Sequence, residues 1–282
     1  MYSLTVENHK GEKLQLTQNV NYNVLSVQGL NPPNANINTA TNANFDGSTF
    51  KSSRLNERNI VIELTIEGDI ETNRIALYKY FKNKHAVKVY YANGTRYVYI
   101  NGYVESFEVN LFEQKQKAQI SIVCPKPYFI DVNTSLLDFT SIEALFEFPF
   151  AIEEEGTEFS TLLVNQTKVV YNAGDVATGI NIELKANGLT LNPKIYNVET
   201  GESIILDIEM NTGDIVKINT NAGEKSITMI VDTVETNIIN RLRYGSTWLQ
   251  LESGDNIFLY TADEFPENLT CSFIYSDKYE GV

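Results

Sequence analysis

Hydrophobic residues along this chain alternate with polar ones far more often than they recur at helical spacing. Leu4 and Val6 precede a turn at Lys10-Gly11, Leu14 and Leu16 follow it, and Val20, Tyr22 and Val24 continue at period two, which predicts half-buried strands. Ile60, Ile62, Leu64 and Ile66 alternate with Val61, Glu63, Thr65 and Glu67, predicting a strand that Gly68-Asp69 ends. The period then changes. Ile70, Arg74, Leu77, Tyr78 and Phe81 share one face at spacings of three and four, and the Asp69 carboxylate can accept hydrogen bonds from the amides that open a helix. A short helix with an Asp69 cap is predicted there.

Residues 86–91 and 95–100 flank Asn93-Gly94, a pair whose tolerance of positive φ predicts a type I′ hairpin turn. Residues 103–111 and 118–124 form a second antiparallel pair, with Ala118, Ile120, Ile122 and Cys124 on one face and Pro125 and Pro127 stopping the strand. Between Gly29-Leu30-Asn31-Pro32-Pro33 and Thr49 the chain is rich in Asn, Ala and Thr. This predicts a polar loop of about twenty residues, a length usual for functional or interface elements. Residues 130–150 switch to an acidic, Phe-rich connector containing Asp131, Asp138, Glu143 and Glu147, and the domain boundary is placed there. Beyond Thr157, turns at residues 172–174, Asn187-Gly188, Thr200-Gly201, Thr212-Gly213 and residues 221–223 punctuate short apolar runs. That rhythm predicts a β-sandwich of the jelly-roll kind, with Leu269, Cys271, Phe273 and Tyr275 on a closing strand and one segment of ambiguous, helix-like spacing at residues 234–243. The expected fold class is mainly β with one short helix. Residues 1–140 form a β-sandwich-like domain carrying the helix and hairpin, and residues 141–282 form a second sandwich.

Charge separates the same two halves. Residues 1–140 carry a net charge of +1 and residues 141–282 carry −15, which together give the chain its −14. A near-neutral half can pack many copies side by side, whereas the acidic half repels its own kind and offers no nucleic-acid surface. The first residues show no basic segment followed by an apolar stretch, and no apolar run approaches the ~20 residues a bilayer requires. Synthesis and folding in the cytoplasm are therefore expected, without a membrane. The two cysteines, Cys124 and Cys271, fall one in each half, which favours buried thiols over a disulfide. The glycosylation-like triplets at Asn93, Asn133, Asn165 and Asn268 carry no meaning without secretion.

Candidate chemistry is sparse. His9 lies beside a hairpin turn and His85 just after the helix, and neither has a partner in the sequence pattern. No Cys-x-x-Cys, Gly-x-Ser-x-Gly or phosphate-binding glycine loop occurs. Glu153-Glu154-Glu155 reads as a solvated charge run. Asp69, Glu71 and Asn73 start like a calcium loop, but glycine is missing at the sixth position and Tyr80 stands at the twelfth. No catalytic residue, cofactor or metal is expected. Trp248, in Gly245-Ser246-Thr247-Trp248-Leu249-Gln250-Leu251, could stack a sugar, although a packing role in an alternating strand is the plainer reading.

The order of residues resembles the distal tail proteins of bacteriophages with long, noncontractile tails, over nearly the whole length. The resemblance rests on Gly29-Leu30-Asn31-Pro32-Pro33, residues 52–58 before the alternating strand, residues 69–74 opening the helix, and Pro125-Lys126-Pro127-Tyr128-Phe129. In the second half it rests on Asn192-Pro193, Gly213-Asp214, Trp248, Gly254-Asp255-Asn256 and Tyr279-Glu280-Gly281-Val282. It implies a galectin-like second domain and a noncatalytic homohexameric ring at the virion tail tip, built by the first domain. The ring would join the tail tube protein to tail-associated or tail-tip proteins and a receptor-binding protein, while DNA passes its lumen without specific capture. Family members with a large saccharide-binding insertion in the second domain differ from this compact chain. The interface candidates are residues 29–49 and the strands of residues 97–123, with Asn31, Pro32, Pro33, Arg54, Asn56, Arg58, Tyr97 and Tyr99 singled out. The alternative is a carbohydrate-binding adhesion module using Trp248.

Overall fold

A computed structural model describes residues 2–41, 43, 46–144, 160–164 and 167–282. The chain divides into two compact units, Met1–Asn133 with Lys278–Val282, and Thr134–Asp277. The chain thus leaves the first unit once and returns to it. The last five residues, which the sequence placed with the second domain, belong to unit 1 because Tyr279 is buried in its core and pairs with Phe129. Residues 134–140 likewise belong to unit 2, where Ser135–Asp138 pairs with the strand Leu269–Tyr275.

Unit 1 is built on an antiparallel sheet whose strands are β1 (Ser3–Asn8), β2 (Lys13–Gln15), β3 (Tyr22–Gln28), β6 (Arg58–Ile66), β7 (Ala86–Ala92), β8 (Tyr97–Val109) and β9 (Lys117–Cys124). They lie in the order β2-β1-β7-β8-β9-β6-β3. β10 (Phe129–Asp131) pairs with β8 at Tyr99 and Val98. The alternation read from the sequence is the core itself. Ile60, Ile62, Leu64 and Ile66 of β6 and Ala118, Ile120, Ile122 and Cys124 of β9 are buried, together with Leu4, Val6, Val87, Val89, Val98 and Ile100. Helix α1 (Ile70–Tyr80) adds Leu77, followed by Phe81 at its end; Asp69 accepts the Thr72 N–H and the Thr72 hydroxyl. The sequence suggested two strands where β8 runs unbroken for 13 residues. A register shift between Val104 and Ser106 makes Glu105 an extra residue, and its carboxylate accepts the Ser121 hydroxyl at 2.7 Å.

Two turns depart from expectation. Neither Asn93 nor Gly94 has positive φ. Instead Asn93 Oδ1 accepts the N–H groups of Thr95 and Arg96 at 2.8 and 2.7 Å, closing a loop whose flanking pair is Ala92 and Tyr97. The side chain supplies the acceptor that fixes this longer turn, so the left-handed backbone is not needed. Asp232 and Thr233, with φ of 46° and 74°, instead form a two-residue connection of the I′ kind between Val231 and Val234. The helix-like segment at residues 234–243 resolves into the edge strand Val234–Asn237 and one 3-10 turn, Ile239–Arg241.

The longest departure is the expected loop at residues 29–49. β4 (Ala35–Thr41) and β5 (Ser48–Leu55) pair antiparallel as a separate two-stranded arm.

Unit 2 is a sandwich. One sheet holds Ser135–Asp138, Leu269–Tyr275, Asn181–Ala186, Ile215–Asn219, Ser226–Val231 and Val234–Asn237 in that order; the other holds Thr167–Asn172, Gly254–Glu264, Thr190–Asn197 and Ser203–Ile205. Phe139 meets Phe273 of the first sheet and Tyr260 of the second, and Phe273 in turn meets Phe258 of the second, with ring centroids 4.9 to 5.4 Å apart in edge-on geometry. Thr140–Ala144 pairs with Ser160–Val164. The Glu153-Glu154-Glu155 run between them lies outside the described residues, as does the triplet position Asn165. Cys124 and Cys271 are both free and buried.

Candidate assembly surface

The arm explains why its sequence looked structureless. Residues opposite one another on an antiparallel pair share a face, and the pairs Ala35–Leu55, Ile37–Ser53 and Thr39–Phe50 gather the bulky apolar side chains on one side. The pairs Asn36–Arg54, Asn38–Ser52 and Ala40–Thr49 leave the other side polar, with Asn38 Nδ2 donating to Ser52 Oγ at 3.0 Å. Ile37 is 60% and Phe50 61% exposed. A two-stranded hairpin is marginal in water by itself and gains stability from covering such a face. Unit 1 carries a second unmatched apolar feature at the edge strand β3, a groove of about 260 Å³ lined by Leu4, Val24, Leu25, Val27, Leu30 and Tyr91.

The outward face of β7 and β8 is aromatic and cationic. Tyr90 sits 5.8 Å from Tyr99 and 6.4 Å from Tyr97, with Lys13 Nζ 4.5 Å from the Tyr90 ring and Lys88 Nζ 5.2 Å from the Tyr99 ring. Tyr90 donates its hydroxyl to Glu7 at 2.8 Å, and burial together with that carboxylate raises its pKa, so it remains a donor. Tyr97 and Tyr103 stand exposed on the same face.

The sequence-derived site residues separate into three places. Arg54, opposite Asn36, and Asn56 are exposed on the arm and its connection to β6. Tyr97 and Tyr99 belong to the aromatic face. Asn31, Pro32, Pro33 and Arg58 meet at the root of the arm, but Arg58 is withdrawn from the surface at 2% exposure. Its guanidinium donates to the carbonyl oxygens of Pro127 and Asn31, both at 2.7 Å, and of Gly29 and Glu280, and lies 4.6 Å over the Phe129 ring. Burial lowers its pKa, opposed by nearby Cys124 and Glu280. Arg58 therefore works inside unit 1, because its Nε and both terminal nitrogens donate to carbonyls of the same unit. Ile37 falls within the candidate stretch 29–49 without being singled out and Phe50 lies one residue beyond it, each signalled only by bulk within an otherwise small and polar sequence.

His9 and His85, read as partnerless, lie with ring centroids 4.4 Å apart, and His85 is shifted down by burial, His9 and Lys82. Among the described residues no group of three or more His, Cys, Asp or Glu side chains could hold a metal ion. Trp248 is half-buried against the second core with Lys225 Nζ 5.3 Å from its ring. No helix among the described residues is long and apolar enough to cross a membrane.

Comparisons with known proteins agree with these two units. Residues 9–124 match a family described as "Phage tail protein RIFT-related domain", and residues 173–279 match "Siphovirus-type tail component, C-terminal domain". The fold is similar to the crystal structure of the Dit protein (gp 19.1) of phage SPP1, described as a paradigm of the hub adsorption apparatus in phages infecting Gram-positive bacteria. That similarity has a TM-score of 0.70 at 13% identity and covers 99% of both chains. It is also similar to a chain of the phage p2 baseplate in its activated conformation, solved with Ca and with Sr, at TM-score 0.54 and 10% identity over 100% of both chains. No curated protein matches. With both units matched in order by these two tail-protein models, the chain belongs to the distal tail protein family of siphophages.

Proposed function

We propose that six copies of this chain form a closed ring at the tail tip, that unit 1 supplies the ring contacts, and that the acidic unit 2 is kept apart from its copies. The observation that carries this reading is the arm with its uncovered apolar face. One copy's face of Ala35, Ile37, Phe50 and Leu55 fits the apolar groove at the β3 edge of the next. Two different patches that complement each other between copies make a heterologous contact, which closes into a ring when the rotation permits. The exposed Asn31, Pro32, Arg54 and Asn56 would border that contact, and Tyr97 and Tyr99 offer the broad aromatic area that interfaces favour.

Such a ring joins the tail tube protein above to tail-associated, tail-tip and receptor-binding proteins below. Its lumen passes DNA without gripping it, in keeping with the near-neutral charge of residues 1–140, which supply the ring and carry no strong basic excess. The protein is made in the host cytoplasm, works in the virion and has no enzymatic role. Native mass spectrometry over a concentration series, with the chain alone and with its neighbouring tail proteins, tests the reading. A sixfold species is expected, and Ile37→Ser with Phe50→Ser is expected to abolish it while leaving the monomer folded. A sixfold species that survives the double substitution would remove the arm from the contact. Absence of any sixfold species in both mixtures would remove the ring.

A further inference from the structure

We propose that unit 1 contains a groove for an extended peptide, and that residues 278–282 fill it as a latch fixing the root of the arm. Every residue of the segment beyond Lys278 is gripped. Lys278 and Tyr279 pair as a strand with Ile130 and Phe129 of β10. The Tyr279 side chain enters the unit 1 core and carries the Arg96 guanidinium 4.2 Å over its ring, while Arg96 donates to the Gly281 carbonyl. Arg58 holds the Glu280 carbonyl with one arm of its fork and the Gly29 and Asn31 carbonyls with another. The Val282 N–H donates to the Leu30 carbonyl at 3.1 Å. A Cβ on Gly281 would lie 2.7 Å from Pro32 Cδ and 3.0 Å from Pro32 N, so this position admits only glycine while Pro32 stays in place.

The ligand class is therefore an extended segment with an aromatic residue two places before a glycine, read by its side chain at one point and by its backbone carbonyls elsewhere. On the arm side the segment meets Leu30 and Pro32 directly and reaches Gly29 and Asn31 through Arg58, and these four residues lead into β4. The latch follows the whole of unit 2 in the chain. A growing chain thus cannot fix its arm root until both units have been made.

The test uses the 282-residue chain with a protease site introduced at the Asp277–Lys278 junction, cleaved after folding and then dialysed to remove the segment that begins at Lys278. Amide exchange of residues 29–36 is expected to accelerate at least tenfold while β6 and β9 amides keep their protection. A synthetic peptide of residues 278–282 added back at millimolar concentration should restore slow exchange, and the same peptide carrying Tyr279→Ala should not. Uncleaved Gly281→Ala, which displaces the seat without removing the segment, should accelerate the same amides. Unchanged exchange after verified loss of that segment would overturn the proposal. So would equal acceleration in β6 and β9, which would make the segment ordinary core. The readout concerns a single chain and stands whether or not the ring forms.

Discussion

Replacing Arg58 with methionine, which keeps the length and removes the donors, should destabilise unit 1 by about 3 to 5 kcal/mol, in the range for breaking buried charged networks. The arginine serves four carbonyl oxygens. A buried acceptor left unsatisfied costs about 1 to 3 kcal/mol, and four such losses would exceed the range given. Two effects bring the figure down. Asn31 is exposed and Gly29, Pro127 and Glu280 are half-buried, so water can replace part of what is lost. Removing the guanidinium also removes its own desolvation penalty. With a urea slope of about 2 kcal/mol/M, the unit 1 midpoint should fall by roughly 1.5 to 2.5 M. Arg58→Lys should recover less than half of it, because an ammonium cannot reproduce the fork. The assay is urea unfolding followed by circular dichroism and by tryptophan fluorescence together. Trp248 is the single tryptophan and lies in unit 2, so its transition should stay where it is. A midpoint shift below about 0.5 M, or a Trp248 transition that moves as far as the rest, would refute this account of Arg58.

Other consequences are open to the same measurements. Gly102→Ala should cost about 1 to 3 kcal/mol by overpacking, since its Cβ would stand 2.5 Å from Ile122 Cγ2 and 2.8 Å from Cys124 Sγ; an unchanged urea midpoint would contradict this. Asp69→Ala should cost about 1 kcal/mol and Phe81→Ala about 3 to 5 kcal/mol, so a cap loss as large as the Phe81 loss would show that packing does not dominate the helix. Burial pushes the Cys124 thiol up to about 12, well above its value in an unfolded chain, so the native state holds a proton that the unfolded state has released. That contribution is complete below about pH 9 and is lost as pH rises toward about 12, so stability should decline across this window and Cys124→Ala should flatten the decline. At pH 8 a thiol reagent should label neither cysteine until urea is added, and rapid labelling of the native chain would contradict their burial.

What the sequence revealed depended on whether a segment has an inside. β6 and β9 alternate because one face of each is core, and the Asp69 cap with Leu77 and Phe81 behind it was legible for the same reason, whereas Tyr78, placed on that face by spacing, is exposed. β4 and β5 turn neither face toward the unit's core, so their alternation is carried by only a few bulky residues among small and polar ones and looked like a loop. Asn93-Gly94 misled because turn type follows loop length as well as residue identity, and the Asn93 side chain closed a longer turn. Arg58 stood among the marker residues, but its partners lie as far as 222 positions away at Glu280, beyond the reach of any local pattern. The pairing of His9 with His85 was hidden for the same reason, since only the fold brings the β1–β2 turn beside the end of α1.

Electron cryomicroscopy of the tail tip in intact particles tests the central claim most directly. An annulus of six copies of this chain around an open bore is expected, with Ile37 and Phe50 of each arm buried against the next copy. A tail tip whose copies form no sixfold annulus, or whose arms remain uncovered within one, would contradict it.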